Sequence, residues 1–316
     1  MSFEVRVAHR WLEAEDIACF TLTRPDGGEL PAFDAGAHIE VHLPGDRRRH
    51  YSLSGDPRER RAYEIAVLRE PAGRGGSQAM HDTVAVGDAL RVSGPYNHFP
   101  LAGPEARLHL LLAGGVGITP MTAMIAALEA RGAEWHLHYC TRSPDRTAFR
   151  ARLAPLARAG KVTFHHDGGD PARGLDLPAL LRRFEIGTHV YVCGPRGFMA
   201  AARGAVGAWP PRCVHFEYFS APDEAPARTD AAFLVKIKAT GQVLEVPADR
   251  SIVEVLRAHG FTVSTDCEEG YCGTCITRYV EGEPQHRDSV LGDAERRSYV
   301  MICCARAKSP MLVLDL

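Results

Sequence analysis

Three cysteines near the C-terminus constrain the fold more than any other feature of the chain. Cys267, Cys272 and Cys275 follow the spacing C-x4-C-x2-C, and Cys303 and Cys304 come about thirty residues later. Plant-type [2Fe–2S] sites have this spacing, because one loop supplies three thiolates and a distant segment supplies the fourth. Glycines inside the loop allow the tight turn that such wrapping needs. The sequence therefore predicts a compact domain built around an iron–sulfur cluster.

Two other uses of these cysteines match the pattern less well. A zinc site usually pairs two C-x2-C hooks or adds histidines at short spacing. A disulfide would suit a secreted protein, but the N-terminal residues lack the apolar segment of a signal peptide. Four further cysteines are scattered singly, which is typical of a reducing cytoplasm: Cys19, Cys140, Cys193 and Cys213. We therefore expect a cytoplasmic protein.

Length and composition predict a multidomain globular protein. The 316 residues are too many for one ordinary core, so two or three domains are expected. Hydrophobic residues make up 45% and charged residues 24% of the chain, as in ordinary soluble proteins. The net charge of −2 gives no reason to expect a nucleic-acid or membrane partner. No apolar run is long enough to predict a membrane span.

Residues 1–103 read as a series of short strands separated by turns, without a clear helix between most of them. This pattern predicts a small antiparallel β-barrel. The predicted strands are Phe3–Val7, Ala18–Thr23, His38–Leu43, His50–Leu53, Tyr63–Leu68 and Ala89–Val92.

Two stretches of this region have the composition of a phosphate site. On a strand, Arg49 and Tyr51 share one face, and His50 and Ser52 share the other. The turn that begins at residue 73 is rich in glycine and opens into a short helical segment, where free N–H groups and the Ser77 hydroxyl could receive a phosphate. Taken singly, an edge strand and a flexible loop would explain the two stretches equally well.

Residues 104–225 alternate five strands with helices, which predicts a doubly wound α/β domain with a parallel sheet. Ligands of such sheets bind beyond the carboxyl ends of the strands. Three loops fall there, namely Gly114–Pro120, Cys140–Arg142 and Cys193–Pro195. The first loop is not the G-x-G-x-x-G fingerprint, so the motif alone does not identify a dinucleotide site.

Residues 226–316 form the third predicted domain, after a linker at about 220–230 that is rich in proline and charge. A hairpin turn at Thr240-Gly241 and a capping box that starts at Ser251 precede the cysteine loop, and further strands follow it. Hairpin, helix, loop and returning strands predict a β-grasp ferredoxin domain. A surface loop packed on a domain would also explain the linker composition.

Together the three parts resemble the phthalate dioxygenase reductase and vanillate O-demethylase reductase family, within the ferredoxin-reductase superfamily. Arg49-x-Tyr51-Ser52 followed by Gly75-Gly76-Ser77 is similar to its FMN motif. The loops Gly114–Pro120 and Cys193–Pro195 are similar to its nicotinamide motifs. The ending at Cys303 is similar to the family pattern Cys-x-Ser-Arg-Ala but has alanine in place of serine, and its two adjacent cysteines leave the fourth cluster ligand ambiguous from spacing alone.

The resemblance implies roles for the flavin residues. Arg49, Gly75, Gly76 and Ser77 would hold the FMN phosphate, Tyr51 would lie against the isoalloxazine ring, and Ser52 would donate a hydrogen bond toward flavin N5. Phe219 would cover the flavin, although an aromatic residue at a domain boundary is also a common core residue. Further cofactor contacts are expected from His50, Leu53, Ala66, Val67 and Leu68.

The resemblance also implies a nicotinamide site and a cluster. Gly114, Gly115, Gly117, Thr119 and Pro120 would seat the pyrophosphate side of NADH. Thr141, Arg142 and Asp167 would lie at its adenosine end, and an acidic residue there favours NADH over NADPH. Cys193, with Gly194 and Pro195, would lie near the nicotinamide, although a small buried hydrophobe is the commoner role of a cysteine. The expected cluster ligands are Cys267, Cys272, Cys275 and Cys303, with Cys304 on the opposite side of a strand.

The function implied is that of an NADH-dependent reductase that passes electrons through FMN and a [2Fe–2S] centre to a Rieske-type oxygenase. We expect a monomer. Two alternatives from other classes are an electron carrier whose N-terminal domains are degenerate and a structural protein stabilised by zinc. Arg49, Tyr51, Ser52 and the complete Gly114–Pro120 loop argue against the first.

Overall fold

The computed structural model describes residues 2–44, 47–71, 75–207, 209–219, 230–265, 268, 270, 273–288, 291–292 and 295–316. The chain divides into two compact units, Met1–Glu217 and Tyr218–Leu316. The predicted linker at 220–230 lies outside the described residues except for Asp230. Among the described residues, no helix has both the length and the apolar composition needed to cross a membrane.

The first part of unit one is the predicted antiparallel sheet. Its six strands lie in the order β4-β3-β6-β1-β2-β5. A bridge between Leu53 and Ile65 links the two edges, which gives the sheet the character of a closed barrel. The elements are β1 (Ser2–Ala14), β2 (Ile17–Thr23), β3 (His38–Leu43), β4 (Arg47–Ser52), β5 (Ala62–Leu68), α1 (Gly76–Asp82) and β6 (Ala89–Tyr96).

The second part of unit one is the predicted α/β module. Its five strands are parallel and lie in the order β11-β10-β7-β8-β9. The central strands β7 and β10 are buried on both faces because helices cover them. The elements are β7 (Leu108–Gly114), α2 (Ile118–Arg131), β8 (Trp135–Thr141), α3 (Arg150–Arg158), β9 (Val162–His166), α4 (Leu177–Leu181), β10 (Thr188–Cys193), α5 (Arg196–Ala205) and β11 (Val214–Glu217).

The barrel and the α/β module share one hydrophobic core, and polar contacts join them. The Thr122 hydroxyl donates to the Ser54 carbonyl at 2.8 Å. Arg152 forms two hydrogen bonds with the Glu64 carboxylate, at 2.9 and 2.8 Å. Because α2 and α3 carry these contacts, the barrel is held beside the carboxyl ends of the parallel strands.

Unit two has a sheet of five strands in the order β13-β12-β18-β14-β16, packed around its own core. A capping box opens its helix: the Ser251 hydroxyl accepts from the Glu254 N–H, and the Glu254 carboxylate accepts from the Ser251 N–H. Such a cap contributes about 1 kcal/mol. The elements are β12 (Phe233–Ile237), β13 (Val243–Val246), α6 (Ile252–Ala258), β14 (Ile276–Glu281), β15 (Pro284–Gln285), β16 (Tyr299–Met301), β17 (Arg306–Ala307) and β18 (Met311–Leu314).

Candidate functional site

Strand β4 and the start of α1 form the predicted phosphate site. A Cβ atom on Gly76 would overlap the Arg49 side chain, so this side chain lies directly against the first turn of the helix. The Arg47 guanidinium lies 3.8 Å from the position that a Cβ would take on Gly75. The N–H groups of a first helical turn have no partner within the helix. Two guanidinium groups and these N–H groups together fit a phosphate.

Tyr51 supplies an independent indication of a ligand. Its hydroxyl group is buried and has no hydrogen-bond partner among the described residues. Buried polar atoms are usually paired, so an orphaned hydroxyl beside a phosphate cradle fits a bound cofactor. Burial raises the pKa of Tyr51, so the hydroxyl stays protonated. The residues present therefore fit a flavin.

On the other face of β4, Ser52 is buried and lies opposite His38 on β3. His50 faces Glu40, with 3.4 Å between the imidazole Nε2 and the carboxylate Oε2. Burial opposes ionisation of Glu40, but the hydrogen bond from His50, with Arg48 and His42 nearby, keeps its pKa below the usual value. This face therefore carries a charged network behind Ser52.

The remaining residues predicted to contact the flavin lie mostly in the barrel core. Leu53, Ala66 and Val67 are buried, whereas Leu68 is half-buried. The end of β5 is tied to α1, because His81 Nε2 lies 2.8 Å from the Val67 carbonyl oxygen. These contacts fix the distance between β5 and the predicted phosphate site.

In the α/β module, the loop after β7 packs against the loop after β10. A Cβ on Gly117 would overlap the Cys193 carbonyl, and one on Gly114 would lie 2.7 Å from Pro195 Cδ. A Cβ on Gly194 would lie 2.8 Å from the Phe198 ring. Gly115 differs, because it has a φ of +53° and nothing within 4 Å of its Cβ position. The other glycines permit loop packing, whereas Gly115 faces open space.

The next residues of the same loop point inward. Thr119 is buried, and its hydroxyl donates to the Val116 carbonyl at 3.0 Å. Pro120 is also buried, in the first turn of α2. Their side chains therefore fix the start of the helix, and the backbone near Gly115 is the part available to a ligand.

The predicted adenosine residues meet at the carboxyl ends of β8 and β9. Thr141 Oγ1 lies 2.9 Å from His166 Nδ1 and 2.8 Å from Thr147 Oγ1. Arg142 is exposed and accepts, through its carbonyl, a hydrogen bond from Gly168 at 2.9 Å. The Asp167 carboxylate accepts from the Gly169 N–H at 2.7 Å. Thr141, Arg142 and Asp167 therefore border one edge of the sheet.

Cys193 and Phe219 contrast in exposure. Cys193 is fully buried in the shared core of unit one, and burial, with Glu217 nearby, raises its pKa well above the usual value. Its carbonyl rather than its sulfur borders Gly117. Phe219 is 40% exposed and belongs to unit two. The roles of both residues toward the flavin and nicotinamide stay predictions.

Two of the four predicted cluster ligands, Cys267 and Cys272, lie outside the described residues. The other two, Cys275 and Cys303, are buried and hydrogen-bonded to each other through their sulfur atoms. The Gly270 N–H also donates to the Cys303 sulfur. Adjacent thiols that receive a backbone N–H fit an iron–sulfur cluster, whose ligand sulfurs accept such bonds.

The doubled cysteine does not lie on a strand, so the prediction that its side chains alternate across a strand is wrong. After β16 the backbone turns, because the Cys304 and Ala305 N–H groups both donate to the Met301 carbonyl, at 3.2 and 3.0 Å. The Cys304 sulfur lies 2.5 Å from the position of a Cβ on Gly270 and also contacts Cys303. Both thiols therefore lie near the cysteine loop, and the choice of Cys303 as ligand stays a prediction.

Two structural features were not predicted from the sequence. Arg47 joins Arg49 at the start of α1, and the run of three arginines in the sequence was its signal. A cleft of about 460 Å³ between the barrel and α2–α3 contains none of the predicted site residues. The cleft borders the Arg152–Glu64 ion pair that joins the two parts of unit one.

Comparisons with known proteins match the barrel, the α/β module and unit two to three different domain families. Residues 4–100 match the oxidoreductase FAD-binding domain, residues 111–204 the oxidoreductase NAD-binding domain and residues 235–308 the 2Fe-2S iron-sulfur cluster binding domain. The chain is similar to vanillate O-demethylase oxidoreductase of Pseudomonas sp. (strain HR199 / DSM 7063), with 47% identity and 99% of each chain covered.

Two further relatives match over at least 96% of their own length. The reductase subunit of tert-butanol monooxygenase / tert-amyl alcohol desaturase from Aquincola tertiaricarbonis is 46% identical over 100% of this chain and 96% of its own. The solved structure of phthalate dioxygenase reductase is 43% identical, with a TM-score of 0.75, and the match covers 100% of this chain and 98% of that one. The matches therefore cover all three modules, in the same order along the chain.

Proposed function

The chain belongs to the family of flavin- and [2Fe–2S]-containing reductases that includes phthalate dioxygenase reductase and vanillate O-demethylase oxidoreductase, and we propose that it reduces a Rieske-type terminal oxygenase with electrons from NADH. The observation that carries the proposal is the presence of three arrangements in one chain. They are the two arginines at the start of α1, the polar residues at the carboxyl ends of β8 and β9, and the adjacent thiols of Cys275 and Cys303. Phthalate dioxygenase reductase has a modular structure for electron transfer from pyridine nucleotides to [2Fe–2S].

The flavin is proposed to be FMN. Arg47 and Arg49 lie at the start of α1 and provide charge for one terminal phosphate. No stretch of the barrel sequence is identified as an adenosine site, which favours FMN over FAD. Tyr51 and Ser52 would orient the ring, with the Ser52 hydroxyl at N5. A flavin held by these residues would supply the conversion of a two-electron hydride into single electrons for the cluster.

The nucleotide is proposed to be NADH. The loops Gly114–Gly117 and Cys193–Pro195 leave the backbone at Gly115 open, which suits close approach of a pyrophosphate. Asp167 lies at the adenosine end, where a carboxylate binds ribose hydroxyls and repels a 2′-phosphate. The fully buried Cys193 would line the floor of the nicotinamide site rather than react with the substrate.

The oxygenase partner follows from the relatives. Their names describe reductase components of a monooxygenase, a dioxygenase and an O-demethylase. By this analogy the chain would act as a monomeric reductase that meets its oxygenase through the cluster-bearing unit. The oxygenase, rather than this chain, would bind the organic substrate.

An anaerobic titration with NADH tests the proposal. The purified protein should show flavin and cluster absorption, and both should bleach as NADH is added. Acid extraction and chromatography should release FMN, whereas released FAD would contradict the choice of flavin. Cluster bands without flavin would indicate a passive electron carrier, and a colourless protein would indicate a zinc-stabilised fold. If neither chromophore bleaches, the proposal is wrong.

A further inference from the structure

One buried hydroxyl group joins the barrel to the α/β module. It belongs to Thr122 in α2, which is 5% exposed, and its partner Ser54, just after β4, is 1% exposed. Thr122 Oγ1 donates to the Ser54 carbonyl at 2.8 Å. In the described part of the chain, the other donor to this carbonyl is Arg152 Nη1, at the longer distance of 3.4 Å. The Thr122 hydroxyl is therefore the closer partner of the Ser54 carbonyl.

The Thr122 hydroxyl has a second acceptor within reach, the Thr119 carbonyl, also at 2.8 Å. That carbonyl lies inside α2, where it accepts the N–H group four residues further along the helix. A hydroxyl group has only one hydrogen to donate. Because a buried carbonyl without a good partner is unfavourable, the hydrogen is needed more by Ser54 than by Thr119.

This hydrogen bond connects the predicted flavin and nucleotide residues through only a few positions of the chain. Ser54 comes two residues after Ser52, and its N–H donates to the Glu64 carbonyl of β5 at 2.8 Å, so the segment is fixed in the barrel. Thr122 comes three residues after Thr119, in the helix that follows the loop after β7. A shift of α2 against Ser54 would therefore move this loop relative to Ser52.

Packing leaves the junction beside this bond partly open. The barrel and the α/β module share a hydrophobic core, but a cleft of about 460 Å³ lies between the barrel and α2–α3, and Ser54 and Thr122 both line it. Atoms beside a void have fewer contacts to hold them in one arrangement. The other polar link in the cleft, from Arg152 to Glu64, has an arginine that is 44% exposed, and exposed ion pairs contribute little. The alignment of α2 with Ser54 therefore depends strongly on Thr122.

We propose that Thr122 is a positioning residue that aligns the nicotinamide with the flavin. This proposal rests on the proposed function, because it assumes a flavin at Ser52 and NADH at the loop after β7. Hydride transfer needs the two reacting atoms about 3–3.5 Å apart, and a displacement of about 1 Å can lower the rate about a hundredfold. The two groups would bind to different modules, so their separation depends on how α2 is held. Thr122 would act through Ser54 rather than by contact with either group.

The test is anaerobic stopped-flow reduction of the full-length, flavin-loaded protein by NADH. Thr122→Val removes the hydroxyl group with little change in shape. It should lower the limiting rate constant of flavin reduction about tenfold to hundredfold. It should also weaken the long-wavelength absorption band that arises when a nicotinamide stacks on a flavin. The dissociation constant for NAD⁺, measured by calorimetry on the same protein, should change by less than about twofold, because the nucleotide contacts stay in place.

Two control variants separate alignment from stability. Thr122→Ser keeps the hydroxyl group and should restore the rate constant to within about threefold of the unmodified protein. Ser54→Ala keeps the carbonyl that Thr122 reaches but loses the Ser54 hydroxyl, which donates to the Glu64 carboxylate at 3.0 Å. Like Thr122→Val it gives up one buried hydrogen bond, so both variants should lower the unfolding temperature by similar amounts. Ser54→Ala should nevertheless change the rate constant by less than about twofold.

Slow flavin reduction in Thr122→Val alone, with normal NAD⁺ binding, would support the proposal. If Thr122→Val is as fast as the unmodified protein, or if Ser54→Ala is slowed equally, Thr122 contributes only to stability and the proposal is overturned. Weaker NAD⁺ binding with an unchanged rate constant would also overturn it, because the hydroxyl would then belong to the binding site. If the unmodified protein holds no flavin that NADH reduces, the proposed function itself is wrong and the positioning role fails with it.

Discussion

The nucleotide loop of unit one and the cysteine loop of unit two both depend on glycine, but for different partners. At Gly117 the backbone of the neighbouring loop occupies the space of a side chain. At Gly270 a thiol occupies it, that of Cys304, next to a predicted cluster ligand. Protein packing therefore forms the first loop, whereas sulfur atoms border the second. A glycine-rich motif thus indicates that another group lies close to the backbone, and only the structure shows which group that is.

Loss of a cluster ligand should give the largest effect, because the sulfur atoms that border the cysteine loop are the ones predicted to hold the cluster. Cys303→Ser should abolish the cluster, as a serine hydroxyl replaces the thiolate that pairs with Cys275. Iron and labile sulfide analysis measures the loss, and NADH should still reduce the flavin. The matched control is Cys304→Ser, which should keep the cluster and cost about 1–2 kcal/mol for an imperfectly satisfied hydroxyl. The reverse pattern would make Cys304 the ligand.

A backbone overlap in the nucleotide loop should give the next largest effect. Gly117→Ala places a Cβ into the Cys193 carbonyl, which belongs to rigid backbone, and should lower the free energy of unfolding by about 3 kcal/mol. Gly115→Ala meets no atom but requires a φ of +53°, a strain of about 1 kcal/mol. Thermal unfolding should rank the two variants in this order, whereas the KM for NADH should rise more in Gly115→Ala, whose Cβ would enter the space left open for the pyrophosphate. Equal losses of stability in the two variants would show that backbone conformation, not packing, is what requires glycine in this loop.

A third glycine turn, Gly75-Gly76, has a charged side chain as its neighbour, which sharpens the comparison. Arg49→Ala removes the guanidinium that lies against Gly76 and should weaken flavin binding about tenfold to hundredfold, the value of a hydrogen bond to a charged group. Arg48→Ala is the control, because Arg48 lies on the opposite face of β4 and is 59% exposed. Flavin content after dialysis measures both variants. Equal loss in the two would remove Arg49 from the phosphate site.

The comparison also shows what the sequence could predict. Local sequence patterns were sufficient to predict the barrel strands, the five parallel strands and the capping box at Ser251. The strands follow from the periodicity of apolar residues, and the capping box follows from two residues three positions apart. The turn at Cys303–Cys304 was missed, since its hydrogen bonds to Met301 leave no mark in composition. The contact of the Asp230 carboxylate with Arg287 and Arg306 was missed, because Arg287 lies 57 residues from Asp230 and 19 residues from Arg306 along the chain and the three residues meet only in the fold.

The smallest expected effect concerns charge at the edge of the cysteine loop. Asp266, Glu268 and Glu269 could steer a basic electron acceptor, and the alternative is a solvated loop whose charge only tunes the cluster. Asp266 and Glu269 lie outside the described residues. Glu268 is already paired with Arg257, at 2.5 Å between Oε1 and Nη1, and also accepts from Thr265. Its charge is therefore largely compensated before any partner approaches.

Reduction of a basic c-type cytochrome should slow as ionic strength rises, because salt screens long-range attraction. Glu268→Gln should change the rate at low salt by less than about twofold, since an exposed ion pair is worth about 0–1 kcal/mol. Arg257→Met leaves Glu268 unpaired and should increase both the rate and its salt dependence. A rate that does not depend on ionic strength in all three proteins would leave the acidic residues without a steering role.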